Sequence, residues 1–129
     1  MSIAVKIVTP SQIAFEGSAE QVQVPGWEGE YGVLPAHANM LTLSRPGVVT
    51  LSQKSGDRRI LVGKGFAEVT ATEISLLVEL CENVEDIDKK AAEALLKEAN
   101  EELARTDISD ASYAFVKNRA DLAQARVDA

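Results

Sequence analysis

All eight glycines and all four prolines of this chain lie before Val84, and none of either occurs from Val84 to Ala129. Proline removes a backbone donor and clashes with the preceding helical turn, and an interior glycine costs a helix about 1 kcal/mol relative to alanine. A run free of both and rich in Ala, Glu and Lys is therefore helical. The punctuated first part reads the opposite way. Its turn signals recur roughly every 8–12 positions, the spacing of short strands in a sandwich or barrel. The break predicts a β-domain over residues 1–84 and a helical domain over residues 85–129.

Within the first part, residues 3–8 (IAVKIV) are β-branched and alternating, and Pro10 ends them. Residues 12–17 (QIAFEG) form a second strand. In 19–25 (AEQVQVP), Val22 and Val24 point inward while Gln21 and Gln23 point outward. Residues 48–54 and 58–63 flank Ser55-Gly56-Asp57, a three-residue hairpin connection containing Gly. Residues 66–71 and 73–80 make another hairpin around Thr72. The expected architecture is a flattened β-sandwich of about ten short strands.

In the second part, Ile87, Ala91, Leu95, Ala99 and Leu103 make an unbroken i,i+4 row with Ala92 and Leu96 beside it. Asp86 or Asp88 caps its start. Glu93 with Lys97, and Glu101 with Arg105, are spaced to pair on the helix surface. Thr106-Asp107 interrupts the run. Asp107 or Ser109 then caps a second helix, with Ala111, Phe115, Leu122 and Ala123 on one side. A short loop between helices makes them antiparallel neighbours, so the expectation is a two-helix hairpin. A hairpin of about 45 residues has too little core to stand alone. It must pack on the β-domain or on a partner, and a module able to do either is a candidate switch.

A formal net charge of −7 without a polybasic stretch argues against nucleic acid and anionic lipid as partners. No apolar run approaches the roughly 20 residues of a spanning helix, so direct membrane insertion is not expected. The N-terminal MSIAVKIVTPS lacks the apolar core of a signal peptide and the Arg-rich character of a transit peptide. The single cysteine, Cys81, excludes an intrachain disulfide and reads as a small core or edge residue. Together these predict a soluble, acidic protein of a reducing compartment.

The stretch Val24–Gly47 concentrates turn chemistry, and it holds the only Trp and the only His. Gly26, Gly29 and Gly32 are spaced wrongly for a dinucleotide fingerprint, and Val62-Gly63-Lys64-Gly65-Phe66 lacks the Ser/Thr of a P-loop. His37 with Glu28 or Glu30 would suit a base and its orienter, but no nucleophile stands in a recognisable elbow and no second His completes a metal site. No cofactor, metal or catalytic residue is expected. Trp27 and Tyr31 either cover one end of the sandwich or form a protein contact. Lys54, Arg58 and Arg59 read as a solvated strand edge or as a contact to an acidic partner.

VPGWEGEYGVLPAHANMLTLSRPG resembles the E-G-E-x-G-(I/V)-x-P-G-H-A-P-L-L-T-x-(I/L)-x-P-G signature of the epsilon subunit family of bacterial F-type ATP synthases, and VGKGFAEVTATEISLLVE resembles that family's second signature. The resemblance covers essentially the whole chain. It implies a non-catalytic central-stalk subunit of a proton-translocating synthase. The partners it implies are the γ subunit, the membrane c ring and, through the C-terminal helices, the α/β subunits of the catalytic head. The location it implies is peripheral, at the cytoplasmic face of the bacterial plasma membrane. By motif match, Glu30, Tyr31 and His37 face the c ring from one end of the sandwich.

The sequence departs from the family at Ala36, where the family has Gly, and at Asn39, where it has Pro. Ile87 and Asp88 match the start of a nucleotide motif of some members, but Ala91 stands where that motif has Arg. Without the guanidinium no nucleotide site is expected. The second helix ends at ARVDA without the longer basic tail of inhibitory members, and Asp121 and Asp128 oppose Lys117, Arg119 and Arg126. Weak or absent auto-inhibition follows. The competing reading is an ATP-sensing regulatory or inhibitory subunit whose C-terminal helices change conformation. Calorimetric titration with Mg-ATP separates the two: the structural reading expects no heat and no thermal stabilisation, and a saturable heat would favour the sensor.

Overall fold

Alternation of small β-branched residues with polar ones builds the first part into strands. The computed structural model describes all 129 residues. Ten strands run in order: β1 (Ile3–Thr9), β2 (Gln12–Ala19), β3 (Gln21–Gly26), β4 (Gly29–Val33), β5 (Met40–Ser44), β6 (Gly47–Gln53), β7 (Gly56–Val62), β8 (Gly65–Val69), β9 (Glu73–Val78) and β10 (Cys81–Asn83). A 3-10 turn (Val84–Asp86) leads to α1 (Lys89–Arg105) and α2 (Tyr113–Asp128). The expected β-sandwich followed by a helical hairpin is what forms.

The strands make one sheet in the order β10-β7-β6-β3-β5-β8-β9-β1-β2, with β4 paired to β3. β1 and β9 are parallel, and the other pairs are antiparallel. β3 meets β5 at a single register position, Gly26 opposite Ser44. There the sheet folds over into two layers, one built from β10, β7, β6, β3 and β4 and the other from β5, β8, β9, β1 and β2. The far seam is closed by Glu20 N–H donating to Ser52 O at 2.8 Å and Gln53 Nε2 donating to Ser18 O at 2.9 Å. The result is nearly a barrel. Ile3, Ile7, Val22, Val24, Leu51 and Ile74 belong to one aliphatic cluster between the layers, each with no more than a trace of exposure. Gly65, part of the P-loop-like run, is there for packing. A Cβ on it would stand 1.9 Å from the Leu77 carbonyl oxygen across the ladder.

A sheet folded over has two outer faces, and they differ. On the β10-β7-β6 side, Leu61 points away from the inner cluster that holds its neighbours Ile60 and Val62, yet it is fully buried. α2 lies against β6 and covers this side. On the other side, Leu43 is opposite Phe66, Phe66 opposite Leu77, Leu77 opposite Val8, and Val8 opposite Ile13. This apolar row crosses β5, β8, β9, β1 and β2 with no cover from the chain. Leu43 (54%), Phe66 (51%), Leu77 (48%) and Ile13 (53%) are half exposed, and Leu41 beside them is 69% exposed.

The helices form a hairpin, but its faces differ from the expected ones. Asp88 is the cap of α1, accepting from Ala91 N–H at 3.1 Å. The buried stripe of α1 is Ala92 and Ala99, with Leu96 and Leu103 half buried. Ala91 and Leu95 face solvent. α2 begins at Tyr113, and neither Asp107 nor Ser109 caps it. Asp107 and Asp110 instead accept from the backbone N–H and hydroxyl of Ser109 and Ser112, winding residues 107–112 into two successive Asx turns. These bonds hold both carboxyls below the usual carboxylate range. The buried residues of α2 are Val116, Ala120 and Ala123, whereas Phe115 is 68% exposed and Ala111 also faces solvent. Small residues on both stripes let the helix axes approach closely, so the bulky ring is left outside. The Glu93–Lys97 and Glu101–Arg105 pairs do not form. An exposed i,i+4 pair gains only a few tenths of a kcal/mol, too little to order two long side chains reliably. The ion pairs that do form are Lys117–Asp121, Arg119–Glu102 and Arg126–Glu82.

Candidate partner interface

The β3–β4 hairpin carries the acidic end of the motif. Its ladder runs from Val22 opposite Val33 to Gly26 opposite Gly29, which leaves Trp27 and Glu28 as the turn. Gly29, with φ of 123°, takes a conformation that side-chain-bearing residues rarely adopt. Gly26 is required for a different reason: a Cβ there would meet the Tyr31 ring at 2.9 Å and Gly29 O at 2.8 Å. The Tyr31 ring is therefore laid flat along the hairpin. Its hydroxyl is 2.6 Å from Thr42 Oγ1 on β5, and burial raises the phenol's pKa against the opposing effect of that bond. Tyr31 is half buried and fixed between β4 and β5, so it shapes the surface more than it extends from it. Glu28 and Glu30 are exposed beside it. Arg45 closes the turn from behind, its Nε donating to Gly26 O at 3.0 Å and its backbone N–H to Pro25 O at 2.9 Å.

His37 follows β4 in a loop whose Ala36 N–H donates to Ala71 O at 2.8 Å, in the turn between β8 and β9. The Trp27–Glu28 turn runs on past the Gly26–Ser44 pairing alongside β5, where Trp27 N–H donates to Leu43 O at 3.3 Å. Glu28 and Glu30 line a groove with Tyr31, Met40, Leu41 and Leu43, and His37 lies in the loop that leads into Met40. Neither Glu28 nor Glu30 is placed to orient the imidazole, whose Nδ1 is instead 2.7 Å from Ala38 O. No group of His, Cys, Asp and Glu side chains is arranged to hold a metal.

The other singled-out residues have structural partners. Arg58 lies 4.8 Å over the Phe15 ring and its Nη2 donates to Asn83 Oδ1 at 3.4 Å. Cys81 is half buried on the edge strand β10, and burial pushes its thiol pKa up. Ile87 is half buried, the Asp88 carboxylate is engaged as a cap, and Ala91 offers no group to a phosphate.

What sequence reasoning missed is the apolar row on the uncovered face. Its trace was present, because Ile7-Val8 and Leu76-Leu77-Val78 are apolar at both parities, the mark of a strand covered on both faces. An exposed contiguous apolar strip of this kind marks a contact surface.

Residues 2–84 match the family described as ATP synthase, Delta/Epsilon chain, beta-sandwich domain. The chain is 35% identical over 126 residues to the ATP synthase epsilon chain of Synechococcus sp. (strain WH7803), covering 98% of this chain and 93% of that one. It is 38% identical over 124 residues to ATP synthase epsilon chain 2 of Ralstonia nicotianae, covering 95% and 87%. Among solved structures, a chain of the Euglena gracilis mitochondrial ATP synthase (OSCP/F1/c-ring) matches with a TM-score of 0.82 at 17% identity, over 96% of this chain and 78% of that one. A chain of the Tetrahymena thermophila mitochondrial ATP synthase central stalk/c-ring matches with a TM-score of 0.69 at 14% identity, over 98% and 94%. At those identities the two structures establish likeness of fold.

Ala36 sits at φ 65°, the only non-glycine residue with positive φ. A left-handed L-residue costs roughly 1–2 kcal/mol, partly offset by the smaller unfolded-state entropy of alanine relative to glycine. Ala36→Gly should raise stability by about 0.5–1 kcal/mol in urea denaturation, and a loss of stability would contradict the strain.

Proposed function

This chain belongs to the delta/epsilon chain family of ATP synthase subunits, and on that footing we propose that it serves in the central stalk, gripping γ with its uncovered sheet face and the c ring with its β3–β4 turn. It is a non-catalytic subunit of that complex. The observation that carries the γ assignment is the row Leu43, Phe66, Leu77, Val8 and Ile13, an apolar strip across five strands with nothing of its own chain upon it. Apolar contact over such a strip resists the torque of rotation because it is broad and close-packed. Residues 1–84 act as the gripping domain and residues 85–129 as its helical cover.

The turn at Glu28 and Glu30 supports the second contact. Two exposed carboxylates on a hairpin stiffened by Tyr31 and Arg45 suit a basic loop on the ring, where charge sets encounter and register more than raw affinity. The same motif match assigns His37, in the loop leading into Met40, to this contact as well. No helix is long and apolar enough to cross a membrane, which fits a peripheral subunit attached through its partners. The proton-coupling role and the cytoplasmic face of a bacterial plasma membrane are part of the same proposal.

Weak auto-inhibition remains the reading for the hairpin. The three cations of α2 are already paired within the chain: Lys117 with Asp121 at 2.6 Å, Arg119 with Glu102 at 2.6 Å and Arg126 with Glu82 at 2.5 Å. Ala91, exposed and without a guanidinium, gives no support to an ATP-sensing role.

Two substitutions in the assembled complex test the two contacts. Phe66→Glu should leave the isolated subunit folded and weaken retention by γ about 30-fold, the effect of losing an interface hot spot. Wild-type retention would move γ to another face. Glu30→Lys should leave assembly intact and reduce proton pumping per ATP hydrolysed, and unchanged pumping would remove Glu30 from the ring contact.

A further inference from the structure

Trp27 belongs to two surfaces at once. With Arg45 and Pro46 it walls a recess whose other side is α2, at Asp121, Gln124 and Asp128. With Glu30, Tyr31, Leu41 and Leu43 it also walls the groove between β4 and β5. Its backbone is held in place, since Trp27 N–H donates to Leu43 O at 3.3 Å and Arg45 Nε donates to the preceding Gly26 O. The indole, 53% exposed, thus stands at the corner between the β3–β4 turn and the recess beside α2.

Several of the remaining ties of α2 are polar and only partly buried. Asn118 Nδ2 donates to Glu79 at 3.1 Å, Arg126 pairs with Glu82, and Lys89 Nζ donates to the carbonyls of Arg126, Val127 and Ala129 at the helix end. Polar ties that keep one side in water gain only modestly over hydration. A large aromatic wall shared between the turn and the helix seat therefore has leverage over whether α2 stays docked.

We infer that Trp27 couples the β3–β4 turn to the docking of α2, so that a load on the turn changes the hold on the hairpin and release of the hairpin loosens the turn. Coupling between two sites is reciprocal by linkage. What this does in the assembled enzyme rests on the proposed ring-facing turn. The coupling itself is a property of the isolated chain, so its test and the tests of the γ and ring contacts fail separately.

Hydrogen exchange on the full-length chain reads both directions. Trp27→Ala should speed exchange at α2 amides 117–128 about fivefold or more, the lower end of typical site-to-site coupling. Trp27→Phe should restore most of the protection. Conversely, the double variant Asn118→Ala with Arg126→Ala, which alters nothing in the turn, should speed exchange at amides 26–31 by a similar factor. Amides of β6 and β9 should be unchanged in all variants. Unchanged α2 protection in Trp27→Ala, or an unchanged turn in the double variant, would overturn the coupling. So would acceleration that spreads into β6 and β9, because Trp27 would then be holding the sandwich and not the seat.

Discussion

A sheet that is folded over at one point has two outer faces, and this chain carries enough helix to cover one of them. The fold point is the single pairing of Gly26 with Ser44, where β3 hands over to β5. Inside the fold an aliphatic cluster excludes water, and apolar burial of roughly 25 cal/mol per Å² is what holds the layers together. Outside it, Leu61 is sealed where α2 lies against β6. The strip from Leu43 to Ile13 is not sealed. The arrangement makes sense as a part of something larger, with one face closed in cis and the other left for a partner.

The two covers differ in kind. The uncovered strip is apolar and flat, suited to a lasting contact. The hairpin is attached partly through half-buried polar contacts, Arg126–Glu82 and Asn118–Glu79, whose solvated side salt and water can reach. Its helices pack on each other through Ala92, Ala99, Val116, Ala120 and Ala123, so the pair can keep its own small core while its hold on the sandwich varies. Between these regimes stands the β3–β4 turn, stiffened by Tyr31 and Arg45 and facing the hairpin across the recess that Trp27 walls.

Much of this was legible in the residues. The loss of Gly and Pro at Val84 marked the change from strand to helix, the alternation of Val22 and Val24 with glutamines gave β3 its inner face, and Asp88 capped α1 as its chemistry demands. The helix faces were less legible. A stripe made mostly of alanine has neighbours of equal size on either side, so the row through Ala91 and Leu95 could not be told from the true row through Ala92 and Leu96. Asp107 and Ser109 have the chemistry of a cap and of an Asx turn alike, and the turn prevailed. The apolar strip was hardest of all, because each of its five residues comes from a different strand and only the register brings them into line.

The central claim is that the β5-β8-β9-β1-β2 face is the one a stalk partner covers. Methyl-resolved NMR of the labelled chain, free and then bound to γ, tests it directly. Leu41, Leu43, Leu77, Val8 and Ile13 methyls should shift and lose solvent contact on binding, while Leu61 and Val48 under the helices stay as they were. Shifts confined to the helix-covered face, with the strip still solvated, would contradict the account.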